Sequence, residues 1–307
     1  MIEAHNITNL EGGSLENAVK TDFGLEVKNS KKVTHGYTSQ VYEASLGNDT
    51  VFIRINKESR VFEVEILGYE ILKKQGIPVP KILGYKDNPP SIGHPTMIMS
   101  SAIGTTIDEA NLSPEEEDMV FEKLGKTLKK INETKLEGYG LLKAKDGELV
   151  GEFSSWKAYQ ETQQKKYHEA LNFCTEKKYL TESESDKVKA VCDEIMSLDI
   201  GKASLVHRDL HSSHFFVKNT DITGIIDLGG IMASDPRYDI AMSIIFQNPQ
   251  QQKNFKKGYG ELVNDPMVNK YFIVIAIKKI QFRSREDING DAQSLIPRLQ
   301  EALKKLG

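Results

Sequence analysis

Within "TVFIRIN", residues 50–56, Val51, Ile53 and Ile55 alternate with Phe52, Arg54 and Asn56. A period of two puts successive side chains on opposite faces of a strand. The preceding "KKVTHGYTSQVYEA" also has β character, and the turn-rich "SLGND" between the two predicts a hairpin within residues 31–56. The period then becomes helical over 60–75, where Phe62, Ile66, Tyr69 and Leu72 recur and Gly76 stops the run. "IPVPKILGY" restarts in extended form, because its prolines cannot continue a helix. "PTMIMSSAIG" reads as another strand. From residue 113 the pattern turns helical: Ser113 is placed to cap, Pro114 to open the helix and Glu116 to close a capping box. Further helix is expected at about 153–175, 182–198 and 238–306, interrupted by a β-rich stretch at 204–227. This organisation predicts a β-rich N-terminal lobe over residues 1–100 and a mostly helical C-terminal lobe over 101–307, joined where "SSAIG" lets the chain turn.

Composition narrows the class. The 307 residues are 39% hydrophobic and 27% charged, as in globular proteins. Forty basic against forty-four acidic residues, a net charge of −4, argue against a nucleic-acid binder held by phosphate contacts. The N-terminus lacks a basic segment followed by an apolar core, and the longest strongly apolar run, "YFIVIAI" at 271–277, is too short to span a bilayer. A cytoplasmic protein without membrane partners is expected. Its two cysteines, Cys174 and Cys192, are expected to be reduced and buried.

The chemistry concentrates in "LVHRDLHSSHFFVKNTDITGIIDLGG", residues 205–230. His211 and His214 resemble a zinc ligand pair, but no HExxH or CxxC accompanies them. A Ser-His-Asp hydrolase would need a nucleophile elbow such as GxSxG, which is also absent. "HFFV" and "TGIID" instead read as two short antiparallel strands. His214 would open the first and Asp227 close the second, so both reach one end of the ladder. Asp209, five residues before His214, lies in the preceding loop. A carboxylate ligand, a second ligand and a base in a loop are what metal-assisted phosphoryl transfer requires.

In this combination the sequence resembles the protein-kinase-like superfamily, and within it the aminoglycoside phosphotransferase family of antibiotic kinases. "HRD" at 207–209 and "DLG" at 227–229 are similar to the superfamily's catalytic and metal-binding loops. "SDPRYDIAM" at 234–242 and "GYGLL…GEFSSWKAY" at 138–159 are similar to the family's own segments, whereas the APE segment of protein kinases is absent. The resemblance runs from about residue 30 to 260 and rests on the combination, each piece being weak alone. It implies an α+β, protein-kinase-like bilobal fold with Asp209 as catalytic base and Asp227 and His214 as ligands of Mg2+. Histidine in place of the usual asparagine at 214 is shared with the aminoglycoside 2''-phosphotransferases and the macrolide phosphotransferases. For ATP or GTP the resemblance implies Gly36 and Ser39 over the phosphates and Phe52 over the base. It further implies Arg54 in the position of the strand lysine, Glu65 orienting it, and a hinge at Met99, Ser100 and Ala102. Asp239 and His207 are expected to hold the catalytic loop.

The acceptor is less determined. Glu161, Glu169, Asp235, Glu261 and Glu286 would suit a cationic aminoglycoside; Tyr159, Tyr238, Phe246 and Tyr259 would suit an apolar ligand. Abundant carboxylates favour an aminoglycoside, phosphorylated on a hydroxyl and thereby inactivated as an antibiotic. The alternatives are a macrolide phosphotransferase or a kinase of small metabolites such as choline, fructosamine or homoserine-like compounds. A non-catalytic nucleotide-binding pseudokinase is disfavoured because Asp209 and Asp227 are both present.

Overall fold

The computed structural model describes residues 10, 12–33, 39–285 and 289–306. Helix α1 (Gly13–Phe23), which the sequence expectation lacks, buries Leu15, Ala18 and Val19 along one face. It ends at Gly24, whose φ of 71° is the left-handed conformation that glycine adopts without steric cost. Strands β1 (Val27–Lys32), β2 (Gln40–Leu46) and β3 (Asp49–Ile55) follow, and β2 pairs with β3 from Gln40↔Ile55 to Leu46↔Asp49 as the expected hairpin. Helix α2 (Ser59–Lys74) precedes β4 (Ile82–Lys86) and β5 (Thr96–Ser100), completing a sheet of order β1-β2-β3-β5-β4. Tyr42, Ala44, Val51, Ile53, Ile55 and Ile98 form a core with Leu15, Ala18 and Val19 of α1. The alternate positions of β3, Phe52 and Arg54, are only partly buried, Arg54 keeping 12% of its side chain exposed, and stand opposite Met99 and Met97 of β5.

Beyond the short β6 (Thr105–Thr106), α3 (Pro114–Glu133) begins with the expected capping box: Ser113 Oγ accepts from Glu116 N, and Glu116 Oε2 accepts from Ser113 N at 2.8 Å. Next come β7 (Tyr139–Lys145) and β8 (Glu148–Phe153), then α4 (Trp156–Glu176), α5 (Glu182–Ser197) and β9 (Ser204–Val206). The β-rich stretch expected at 204–227 holds β9, β10 (Phe215–Lys218) and β11 (Asp221–Ile225). The chain continues through β12 (Met232–Ser234), α6 (Pro236–Ile244), α7 (Pro249–Tyr259), α8 (Pro266–Arg285) and α9 (Asn289–Lys304). A Cβ on Gly258 would lie 1.9 Å from the Glu122 carbonyl, so α3 and α7 pack closely through a glycine. Cys174 and Cys192 are free and buried, and burial pushes both thiols up to about 12. Among the described residues no helix is long and apolar enough to cross a membrane.

The chain forms two compact units, each drawn from separate stretches. The first comprises Met1–Ala110, Lys143–Glu148 and Ser212–Gly230; the second comprises Asn111–Leu142, Leu149–His211 and Ile231–Gly307. The β10–β11 hairpin thus belongs to the same unit as the five-stranded sheet, where β10 also pairs with β6.

Candidate active site

In the first unit a buried ion pair joins sheet to helix. Arg54 of β3 donates through Nη1 to Glu65 of α2, which is fully buried, and the guanidinium lies 5.6 Å from the centroid of the Phe62 ring. The Tyr69 hydroxyl donates to the same Glu65 oxygen at 2.7 Å. Burial alone would lower the Arg54 pKa, but Glu65, then Tyr69 and Asp227, outweigh it and hold the guanidinium charged. Arg54 Nη2 also lies 3.8 Å from Asp227 Oδ1. The turn after Asp227 approaches α2 at Gly229, where a Cβ would meet Val61 Cγ1 at 2.8 Å. Glycine there lets the Asp227 turn reach the helix that carries Glu65.

The β10–β11 ladder brings His214 and Asp227 to one end, though neither lies within a strand. Phe215 faces Ile225 as the terminal pair, and the Ile226 N–H donates to the His214 carbonyl at 3.1 Å. His214 ends a 3-10 turn (Ser212–His214), and Asp227 lies two residues beyond β11 with φ 64°. Aspartate tolerates this left-handed conformation better than bulky residues do. His214 Nε2 and Asp227 Oδ2 are 3.8 Å apart, with Asp227 the more exposed. One carboxylate and few other protein ligands suit magnesium, which retains waters and takes phosphate oxygens. The imidazole nitrogen is the less typical donor of the pair.

Of the other nucleotide residues expected, Phe52 faces Met99 across β3 and β5. Ser100 N donates to the Lys81 carbonyl at 2.9 Å, and Ser100 Oγ accepts from Lys81 N at 3.0 Å. Ala102 packs against β11 at Gly224, where an added Cβ would approach Ala102 Cβ to 2.7 Å. Ser39 is buried and its hydroxyl accepts from Asn56 Nδ2 at 2.8 Å, so it serves the interior of the unit. Gly36 lies outside the described residues.

In the second unit the loop that leads to Asp209 is tied down by Asp239 of α6, the hold expected of that residue. Its buried carboxylate accepts from His207 N and Arg208 N, each at 2.8 Å, and from Asn132 Nδ2 at 3.0 Å. Asn132 in turn donates to the Leu205 carbonyl and accepts from the Tyr259 hydroxyl, both at 2.9 Å. Arg208 has φ 75°, a left-handed kink next to Asp209. Asp209 is exposed, with Oδ1 3.7 Å from Lys279 Nζ of α8. Lys279 stands 5.2 Å from the centroid of Phe246, a ring that also meets Arg283 and His211. Asn132 and Lys279 are absent from the expectation. The one sign of the lysine is "KK" closing the apolar run of α8. Among the expected acceptor carboxylates, Asp235 is committed to the fold: it is 2% exposed, caps α6 and binds Arg237. Glu161, Glu169 and Glu261 are exposed, and Glu286 lies outside the described residues.

The buried strand–helix ion pair and the carboxylate beside a β-hairpin are features of a kinase-like phosphotransferase. Comparison with known families matches residues 30–267 to the phosphotransferase enzyme family. The chain belongs to that family and has the kinase-like fold of the aminoglycoside phosphotransferases. Comparison with curated proteins finds no match. Among solved structures, the chain is similar to a thermostable mutant of aminoglycoside phosphotransferase APH(4)-Ia in ternary complex with AMP-PNP and hygromycin B. The TM-score is 0.71 at 20% identity, covering 95% of this chain and 98% of that one. It is also similar to spectinomycin phosphotransferase APH(9)-Ia in complex with ADP and spectinomycin: TM-score 0.62, 15% identity, 97% and 98% covered. The GDP and kanamycin complex of APH(2")-IIia matches with a TM-score of 0.64 at 15% identity, over 93% and 97% of the chains.

Proposed function

We propose that the protein transfers the γ-phosphoryl group of ATP or GTP to a hydroxyl of a small molecule. The carrying observation is the Arg54–Glu65 pair together with Asp227, 3.8 Å from Arg54, in one unit. Arg54 neutralises nucleotide phosphate oxygens, and Glu65 fixes its orientation by a charge-assisted bond. Phe52 and Met99 flank the base, and the Ser100 carbonyl and the Ala102 backbone hydrogen-bond its edge, the Ser100 N–H being held by Lys81. Asp227 and His214 hold Mg2+, which when bound neutralises phosphate charge in transfer. Asp209 orients the acceptor hydroxyl and takes its proton. Asp239 keeps the loop that carries Asp209 in register.

An aminoglycoside acceptor, with antibiotic resistance as its consequence, is supported by the relatives that hold hygromycin B and kanamycin. The test of the reaction is turnover of ATP and GTP in parallel, with and without acceptors, using Asp209→Ala as the blank. Removal of a general base lowers turnover by roughly 10²–10⁴-fold. A variant that retains full transfer overturns the assignment of Asp209.

A further inference from the structure

A cavity of about 130 Å³ in the second unit has Lys166, Arg208 and Lys278 in its wall and no carboxylate. Of the carboxylates that act on its tyrosines, Glu152, Asp209, Asp235 and Asp239, none is a wall residue; Asp235 accepts from the Tyr271 hydroxyl at 3.1 Å and is itself paired with Arg237. Lys166 and Arg208 are exposed, so solvent screens their repulsion, but three cations bordering one small space still favour an anion there. Lys278 carries the strain of this arrangement: burial first, then Arg208 and Lys166, push its pKa down to about 8. Its ammonium is 5.3 Å from the centroid of the Tyr167 ring. Ser234, also in the wall, is 1% exposed, and its hydroxyl has no hydrogen-bond partner among the described residues. Buried hydroxyls usually have a partner, which an ordered water or a group of a ligand would supply here. The volume equals that of about four waters, the size of one acidic group rather than of a whole oligosaccharide.

The position of the cavity gives this chemistry a purpose. Arg208 immediately precedes Asp209 in the chain. Lys278 precedes Lys279, which stands 3.7 Å from Asp209. We infer that the cavity receives the carboxylate or phosphate group of the acceptor, so that the substrate is a hydroxyl compound bearing an acid rather than a polycation. The link to the acceptor rests on the proposed role of Asp209, whereas anion binding by the cavity does not.

The experiment separates the two. AMP-PNP with Mg2+ is titrated calorimetrically into wild-type, Lys278→Met and Ser234→Ala proteins, and equal affinities show intact folds. Inorganic phosphate and, separately, glycolate are then titrated into each protein with AMP-PNP and Mg2+ present, to tell a phosphate-selective cavity from a carboxylate-selective one. Saturable binding of either probe, weakened at least tenfold by Lys278→Met and less by Ser234→Ala, is the expected result. Absence of saturable binding, or equal binding in all three proteins, overturns the cavity as an anion site. Failure of AMP-PNP to bind any of the proteins would instead overturn the kinase reading, while the phosphate comparison still reports on the cavity. Turnover with acid-bearing and cationic acceptors completes the test. Stimulation by kanamycin or hygromycin B alone, with the same KM in wild-type and Lys278→Met proteins, overturns the acceptor assignment.

Discussion

The Asp239 carboxylate receives the backbone N–H groups of both His207 and Arg208, each at 2.8 Å, from 32 and 31 residues away. Two consecutive main-chain donors on one buried anion fix the peptide plane between them, and with it the start of the Asp209 loop. Asn132 supplies a third donor to the anion. In Asp239→Asn, an amide NH₂ must face at least one of these donors, leaving a buried N–H unsatisfied. The expected loss is about 1–3 kcal/mol of stability, read from chemical denaturation. Turnover should fall while AMP-PNP affinity, proposed to rest on residues of the other unit, stays unchanged. A variant of wild-type stability and turnover would show that the loop is held by other contacts.

The same carboxylate carries a pH signature. Burial raises its pKa from 3.8 to about 6, and the N–H bonds from Arg208, Asn132 and His207 only partly oppose that. A carboxyl whose folded pKa lies above its unfolded value binds its proton more tightly when folded. Its contribution is therefore fully present below about pH 4 and is lost as pH rises towards 6, the reverse of a salt-bridged aspartate. A shift of about two units corresponds to roughly 3 kcal/mol. The gap in denaturation free energy between wild-type and Asp239→Asn proteins, compared at half-unit steps over this window, should narrow as pH rises, towards the roughly 1–3 kcal/mol that the lost acceptor leaves once the carboxylate is ionised. A gap that widens would mean that the hydrogen bonds outweigh the burial.

Arg54 and Glu65 make a different test, because Glu65 is fully buried and Arg54 nearly so. Arg54→Met strands a carboxylate inside the unit and should cost about 3–5 kcal/mol. Met at 54 with Gln at 65 should recover much of that stability, since no unpaired charge remains, yet should not recover nucleotide binding. Arg54→Lys keeps the charge but not the planar fork, so it should preserve stability better than affinity. Calorimetric titration with AMP-PNP beside denaturation separates the two effects. Equal losses of stability and affinity across all three variants would reduce the pair to a structural role.

Local signals made much of the fold legible. The alternation in "TVFIRIN" predicted β3 and its two faces, and Ser113 with Glu116 predicted the start of α3, because strand period and helix caps are written within a few residues. Two further elements carry local signals of their own. Leu15, Ala18 and Val19 ending at Gly24 mark α1, and Asp146-Gly147, with φ 53° and 80°, is a hairpin turn that joins β7 to β8. The resemblance placed Arg54 and Glu65, which the fold joins in one ion pair, and assigned Asp239 its hold on the loop. Other parts had no local mark. Asn132 meets Asp239 across 107 residues, and Lys279 meets Asp209 across an interval no periodicity encodes. Ser39 is another contact with no local mark: its hydroxyl, expected from the resemblance to lie over phosphate, accepts from Asn56 across 17 residues.

Gly224 and Ala102 offer a geometric probe of the hinge. Gly224 in β11 has a backbone that alanine can adopt, but an added Cβ would sit 2.7 Å from Ala102 Cβ and 3.4 Å from Phe216 Cβ. Neither neighbour is the end of a flexible side chain, so Ala102 must move. Overpacking of this kind costs about 1–3 kcal/mol. Because Ala102 is proposed to present its backbone to the nucleotide base, Gly224→Ala should weaken AMP-PNP binding by about tenfold, the equivalent of about 1.4 kcal/mol. Removing the opposing methyl with Ala102→Gly in the same protein relieves the clash and should restore most of that affinity. Restored stability without restored affinity would show that the segment at Ala102 supports the fold of the first unit but does not read the nucleotide.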